Sequence, residues 1–115
     1  MSNFYDHVKE RFIRYAQVDT QSQAGSPTAP STMKQKNLAK MLKEELEAMG
    51  VSDVEMTETG LVYGTIPSTL PDGGGISIGF VAHMDTSPDA PGTGVKPWVY
   101  ENYPGVDVLL NKEQN

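Results

Sequence analysis

The clearest strand pattern in the sequence is the run Ile76-Ser77-Ile78-Gly79-Phe80-Val81-Ala82-His83-Met84-Asp85. In an extended chain alternate side chains point to opposite faces, and both sets of positions over 76–82 are apolar or small. Strands that are apolar on both faces are typical of the middle of an α/β sheet with a layer on each side. The pattern therefore predicts a central, covered strand over 76–82.

Two helices are predicted ahead of this strand. Apolar residues recur at helical spacing over 4–18. A stripe of Leu and Met follows, with Ser31 or Thr32 as the predicted N-cap and Gln35 completing a capping box. We expect this second helix to stop at Gly50, because glycine readily takes the left-handed conformation that ends helices.

The remaining segments predict loops and short strands. Residues 19–31 are rich in Gln, Ser, Gly and Pro, which is typical of a loop. Over 54–66 the apolar period changes to two, which predicts a β-hairpin turning at Gly60. Short strands are also expected at 98–103 and 106–110. Together these patterns predict an α/β fold with two helices on a mixed β-sheet.

The composition argues against several classes of protein. The chain has 115 residues and a formal charge of −6, and residues 50–115 hold two Lys against nine Asp or Glu, a net charge of −7. Such acidity argues against a nucleic-acid partner, because phosphate binding needs cationic side chains. There is no Cys, no membrane-length apolar run and no signal-peptide pattern, so a cytoplasmic location without membrane contact is expected. The length suits one domain at most, burying about two-thirds of its unfolded surface if it folds alone.

The strongest candidates for chemistry are His83 and Asp85, where the predicted strand runs out into a loop. Ligands of open α/β sheets gather outside the carboxyl ends of strands, and positions i and i+2 share a face. One imidazole nitrogen can bind a metal while the other donates to the carboxylate. Spacing alone leaves two alternatives open. The pair can activate Ser87 as a nucleophile, or it is an ordinary surface pair.

The other polar residues that could take part in chemistry are predicted to have structural roles. Ser87 lacks the Gly-x-Ser-x-Gly turn of hydrolase nucleophiles. Asp89 sits in a proline-rich loop and predicts an Asx turn. The carboxylates of Glu44, Glu45 and Glu47 on the second helix are interpreted as a solvated face and not as a site.

Over 78–89 the sequence resembles the M20 zinc-peptidase family, and its His-Met-Asp-Thr-Ser-Pro-Asp run over 83–89 resembles the tripeptide-aminopeptidase branch of that family. The likeness extends along the whole chain. It includes Arg11-Phe12, Val18-Asp19-Thr20-Gln21-Ser22, Pro30-Ser31-Thr32 and Glu101-Asn102-Tyr103.

The resemblance implies that His83 is the first ligand of one of two zinc ions and that Asp85 holds its imidazole within the catalytic machinery. It implies hydrolysis of a peptide bond by metal-activated water, with a Glu as general base and tripeptides as substrates. It further implies that the helices and sheet are part of a three-layer αβα catalytic domain.

The other metal ligands of the family have no counterpart in this sequence, in which His83 is the last histidine. Catalytic zinc needs about three protein ligands, so we expect residues 1–115 to be an incomplete, N-terminal portion of the catalytic domain. We expect it to lack the family's dimerisation domain and to be inactive alone. The alternative is a stand-alone non-catalytic α/β module that binds a partner or self-associates through an exposed sheet edge.

Overall fold

The computed structural model describes residues 3–110, in which two α-helices are followed by one β-hairpin. The elements are α1 (Phe4–Ala16), α2 (Gln35–Ala48), β1 (Ser52–Met56) and β2 (Val62–Thr65). Two helices with a β-sheet confirm the predicted α/β class. Within the described residues the sheet is one antiparallel pair, whereas the sequence pattern predicts a larger, mixed sheet.

The first helix forms where the apolar spacing predicts it. The Asn3 side chain caps the first turn by accepting a hydrogen bond from the Tyr5 amide at 3.3 Å. Phe4 and Phe12, which belong to its apolar stripe, are both largely exposed. The pattern of α1 is therefore amphipathic, but the described residues do not cover its apolar face.

The start of the second helix differs from the sequence prediction. The predicted N-cap at Ser31 or Thr32 is wrong, because α2 begins at Gln35. Thr32 Oγ1 donates to the Gln21 carbonyl at 2.8 Å, and Ser31 Oγ accepts from the Gln23 amide at 3.1 Å. The Gln35 side chain reaches back to the two hydroxyls, at 3.0 Å and 3.2 Å. Bonds to the distant residues 21 and 23 thus replace the local capping box.

The end of the second helix confirms the prediction at Gly50, which has a φ of +78°. The Gly50 amide donates to the Glu47 carbonyl at 3.0 Å, and the Val51 amide donates to the Leu46 carbonyl at 3.1 Å. This pair of bonds is the Schellman arrangement, in which a left-handed residue satisfies the last carbonyls of a helix.

The hairpin also forms as predicted and turns at Gly60, whose φ is +86°. Met56 pairs with Val62 next to the turn, and Ser52 pairs with Thr65 at the open end. The ladder is irregular between these pairs, which is typical of a bulge in a short hairpin.

The second helix and the hairpin pack together and form the centre of the described structure. A Cβ on Gly64 of β2 would lie 2.6 Å from Val51 Cγ1 and 3.8 Å from Leu46 Cδ1, so glycine allows close approach there. Leu38 and Ala39 of α2 are the buried apolar residues of the described chain. A core of this size is small for a chain of 115 residues.

The predicted central strand is absent over 76–82, and this prediction is wrong for the described structure. Its side chains are among the most exposed of the described residues, with Phe80 at 96% and Val81 at 99%. The expected strands at 98–103 and 106–110 are not formed either. A strand needs neighbours that satisfy its amide and carbonyl groups and a layer that covers its faces. The described residues supply neither to this segment.

The dimensions of the chain agree with this open arrangement. Its surface is 9549 Å², whereas a compact monomer of this mass exposes about 6200 Å². The radius of gyration is 17.8 Å, against about 13 Å for a compact domain of this length. The expected burial of two-thirds of the unfolded surface is therefore not reached. Neither helix of residues 3–110 combines the length and the apolar character needed to cross a membrane.

Candidate functional site

His83 and Asp85 lie side by side, as their spacing predicts. His83 Nδ1 is 3.2 Å from Asp85 Oδ1, and the two side chains are 85% and 45% exposed. The two side chains meet although residues 76–85 form no strand, because residues two apart in an extended chain point the same way. With Nδ1 directed at the carboxylate, Nε2 is the nitrogen left to face another group.

One imidazole is not a complete metal site. Catalytic zinc takes about three protein ligands, usually His, Asp, Glu or Cys. Nowhere in residues 3–110 do three such side chains lie close enough together to hold a metal ion. The described part of the chain therefore offers His83 as a single candidate ligand, with Asp85 beside it.

Ser87 is directed towards Asp89, not towards His83. Its hydroxyl donates to Asp89 Oδ2 at 2.6 Å, and its oxygen accepts from the Asp89 amide at 3.2 Å. The predicted Asx turn at Asp89 is therefore wrong: the turn is made by the Ser87 side chain, and the residue two positions after Asp89 is Pro91, which has no amide proton to donate. This arrangement does not support Ser87 as a nucleophile, since its proton is already engaged with a carboxylate.

The loop that follows Asp85 is bound to a segment far away in sequence. The Thr86 amide donates to the Thr20 carbonyl at 3.2 Å, and the Ser22 amide and hydroxyl both donate to the Thr86 carbonyl at 2.9 Å. Gln21 and Thr86 form a parallel bridge, and Thr20 is buried. We refer to the contacts between residues 19–22 and residues 86–93 as the clasp.

The side chain of Gln21 extends the clasp along the loop. Its Nε2 atom donates to the Pro88 carbonyl at 3.1 Å and to the Ala90 carbonyl at 2.8 Å. One amide group thus satisfies two loop carbonyls that no secondary structure pairs, which holds 88–90 in a defined position.

Asp19 binds the far end of the same loop. Its carboxylate accepts from the Thr93 hydroxyl at 2.6 Å, from Lys34 Nζ at 2.9 Å and from the Gln21 amide at 3.0 Å. These bonds, led by the one from Thr93, lower the pKa of Asp19 from its ordinary 3.8 to about 2. The sequence pattern places Asp19 in a loop and predicts no role for it. The one feature of the sequence that could have pointed to Asp19 is its position in the run 18–22, which carries part of the family resemblance.

The contact between Asp19 and the loop over 86–93 requires glycine at position 92. A Cβ there would lie 2.6 Å from Asp19 Oδ1 and 3.2 Å from Gln21 Cβ, and Gly92 is buried. Any larger side chain would push the loop away from Asp19, because a carboxylate oxygen that makes several bonds has little freedom to move.

An apolar cavity of about 570 Å³ opens beside His83 and Asp85. Its walls come from α1, from α2 and from the segment around Met84, and they include Phe12, Leu38 and Leu42. Met84, the residue next to the candidate ligand, therefore lines this cavity, while the His83 side chain is largely exposed.

A second group of charges joins the two helices, and it contradicts the interpretation of Glu45 as solvated. The Glu45 side chain is 14% exposed and accepts from Tyr15 Oη at 2.5 Å, from Arg14 Nη2 at 2.7 Å and from Arg11 Nε. Burial raises the pKa of Glu45, but the bonds from Tyr15 and Arg11 and the charge of Arg14 outweigh it, and the net pKa is lowered.

Comparison with known proteins places these residues in a wider context. No protein-family model matches the chain. It is 54% identical over 112 residues to Peptidase T of Desulfitobacterium hafniense (strain DSM 10664 / DCB-2) and 50% identical over 108 residues to Peptidase T of Clostridium botulinum (strain Langeland / NCTC 10281 / Type F). Each alignment covers 94% of this chain and 26% of the relative, so the chain spans about a quarter of the length of the curated relatives it matches. The chain is therefore homologous, across 94% of its length, to one segment of the peptidase named Peptidase T.

Proposed function

We propose that this chain contributes part of the active site of a zinc-dependent aminopeptidase that releases the N-terminal residue of tripeptides. His83 is the proposed first zinc ligand, and Asp85 is the group that orients it. The observation that carries the proposal is the 3.2 Å contact between His83 Nδ1 and Asp85 Oδ1 in a chain 54% identical to a Peptidase T.

The chemistry of the pair supports this assignment. A carboxylate that accepts from Nδ1–H fixes the tautomer and makes Nε2 a stronger donor to a metal. The exposure of His83 suits a side chain that meets a ligand from outside the described residues. When bound, zinc would make a water molecule acidic enough to lose a proton at neutral pH, and the hydroxide that remains could attack a carbonyl. Because His83 is a single ligand, the chain of 115 residues is proposed to be inactive alone.

The finer parts of the proposal rest on the family resemblance. The relatives are named as peptidases, and the tripeptide substrate, the two zinc ions and the cytoplasmic location are proposals for this protein. The acidic second half of the chain argues against nucleic acid as a substrate.

A chimaeric enzyme tests the proposal directly. Residues 1–115 replace the matching quarter of the Desulfitobacterium hafniense Peptidase T, and zinc content and tripeptide hydrolysis are measured. We expect an active chimaera in which His83→Ala abolishes hydrolysis and Asp85→Asn lowers zinc affinity or activity by about 10–100-fold. The matched control is His7→Ala, which removes the other histidine, exposed on α1, and leaves activity unchanged.

Two outcomes would count against the proposal. Full activity and zinc content in the His83→Ala chimaera would show that His83 is not a ligand. Tripeptide hydrolysis by purified 1–115 with added zinc, abolished by His83→Ala, would show that the chain is active alone.

A second candidate function rests on the exposed segment 76–82. Ile76 is 93% exposed and its neighbours along the segment are similar, so an uncharged extended run faces solvent. Such a run pairs readily with another strand, which is how non-catalytic modules bind peptides or second copies.

A further inference from the structure

We propose that Asp19 is a positioning residue for His83 and Asp85: it locks the clasp that holds the loop immediately after them. The inference rests on the proposed function, which gives His83 and Asp85 their role. It concerns a residue 64 positions away from His83 in the sequence, and it is argued from the hydrogen bonds of the described residues.

The loop after the candidate ligand is held at its first residue. Thr86 follows Asp85 directly, its amide donates to Thr20 and its carbonyl accepts from Ser22. Both polar groups of the Thr86 backbone are therefore bound, so the two peptide planes that flank Thr86 are each held against the segment 19–22. His83 lies three residues from this anchored point.

The chain before His83 offers no comparable support. Phe80 and Val81 are almost fully exposed, and the segment over 76–82 pairs with no strand among residues 3–110. Met84 faces the apolar cavity, but an apolar contact is not directional and does not fix the rotation of the neighbouring side chains. Directional restraint on His83 and Asp85 therefore comes from the Thr86 side.

Asp19 connects the clasp to the body of the molecule. Lys34, at the start of α2, and Thr93, at the far end of the loop, both bind its carboxylate, and the Gln21 amide binds it from the same segment. The Thr32 hydroxyl adds a second tie between the segment and the start of α2. Asp19 thus joins the helix that carries the buried centre to both sides of the clasp.

The bonds to Asp19 are also the strong ones in the clasp. Hydrogen bonds that involve an ionised group are shorter and about twice as strong as neutral ones, and the Thr93 bond measures 2.6 Å. The remaining bonds of the clasp join neutral amides, hydroxyls and carbonyls. Loss of the Asp19 carboxylate should therefore release the loop more than loss of any single neutral bond.

Nuclear magnetic resonance on the chain of 115 residues tests the inference without zinc or substrate. Amide exchange of Thr86 reports the clasp, and the ¹⁵N shifts of the His83 ring report the contact between Nδ1 and Asp85. We expect Asp19→Ala to raise exchange at Thr86 by about tenfold or more and to move the His83 ring shifts. Exchange of the Val51 amide, which binds the Leu46 carbonyl just after α2, should stay unchanged and would show that α2 and its C-terminal cap persist.

A conservative pair at position 93 separates positioning from general destabilisation. Thr93→Val removes the hydroxyl at nearly constant volume, so we expect a smaller rise in Thr86 exchange and a smaller change in the His83 ring shifts. Thr93→Ser keeps a hydroxyl, so Thr86 exchange and the His83 ring shifts should return to their wild-type values. The matched control is Asp72→Asn, because Asp72 binds the Gly74 amide in an exposed loop. If Asp19→Ala unfolds the chain, the comparison of Thr93→Val with Thr93→Ser tests the inference in its place.

The inference is overturned if Thr86 exchange stays at the wild-type rate in Asp19→Ala and Thr93→Val. It is equally overturned if Thr86 exchange rises while the His83 ring shifts stay unchanged, because the clasp then does not orient the pair. Neither result bears on zinc binding by the chimaera, so failure of the inference and failure of the proposed function are distinguishable.

Discussion

The carboxylate of Asp19 brings together residues that are 15 and 74 positions away from it in the sequence, Lys34 and Thr93. Lys34 is the charged partner of Asp19, and the other donors are a hydroxyl and an amide. All of these partners favour the ionised carboxylate, which explains why the pKa of Asp19 falls to about 2.

This shift predicts a dependence of stability on acid. Because the folded-state pKa of about 2 lies below the ordinary 3.8, the contribution of Asp19 is fully present above pH 3.8 and is lost as the pH falls through 2. We expect the difference in melting temperature between the wild type and Asp19→Asn to be constant above that window and to shrink within it.

Two measurements check this expectation. The ¹³C shift of the Asp19 carboxyl should titrate near 2, and melts between pH 2 and pH 7 give the difference in stability. Asp72→Asn serves as the control for the loss of a carboxylate at an exposed loop position. A gap between wild type and Asp19→Asn that persists unchanged at pH 2 would contradict the assigned pKa.

At the scale of secondary structure, the contact between α1 and α2 centres on Glu45. Arg11, Arg14 and Tyr15 all donate to its carboxylate, although the apolar stripe of α1 remains largely exposed. Charged hydrogen bonds therefore join α1 to α2 among the described residues.

We therefore expect Glu45→Gln to loosen α1 from α2. The variant keeps the size of the side chain but loses its charge, and hydrogen bonds to charged groups contribute about 1.5–3 kcal/mol. The free energy of unfolding in urea should fall by about that amount, with faster amide exchange along α1.

Glu44→Gln is the matched control for this change. Glu44 is the neighbouring glutamate on α2, it is exposed, and its substitution should change the free energy of unfolding by less than about 0.5 kcal/mol. Equal effects of the two substitutions would mean that the charge of the helix, and not the Glu45 contacts, determines the stability.

At the scale of the whole molecule, the surface is larger than a compact protein of this mass would have, and its most exposed apolar run is 76–82. The run carries no charge and no proline. Antiparallel pairing of two copies about Gly79 would set Ile78 of one copy opposite Phe80 of the other. Short uncharged segments of this kind favour pairing between chains.

We expect the isolated chain to self-associate with increasing concentration, and Phe80→Lys to suppress this association. Burial of a Phe side chain contributes about 1.5–3 kcal/mol, so the dissociation constant should rise by about tenfold or more. Sedimentation velocity and light scattering across a range of concentrations measure both effects.

Phe4→Lys is the control for this change, because Phe4 is also exposed but lies on α1. It should leave the association unchanged. A chain that stays monomeric at every concentration, or an equal effect of Phe4→Lys, would rule out 76–82 as the contact.

Features that depend on neighbouring residues could be read from the sequence. The first helix, the stop at Gly50, the hairpin turn at Gly60 and the His83–Asp85 contact all follow from spacing over a few positions. The backbone conformation of such features is decided by local hydrogen bonds and by the freedom of glycine. For this reason the sequence by itself determined the α/β class and the pairing of the two candidate site residues.

Features that depend on distant residues were decided only by the tertiary structure. Ser31 and Thr32 cap no helix because residues 21 and 23 bind their hydroxyls. Asp19 and Glu45 have partners that are remote in sequence, and no periodicity reveals those partners. The apolar pattern over 76–82 predicts a strand, but a strand also requires paired neighbours and a covering layer, which residues 3–110 do not supply. Pattern thus determines what a segment can form, and packing determines whether it forms.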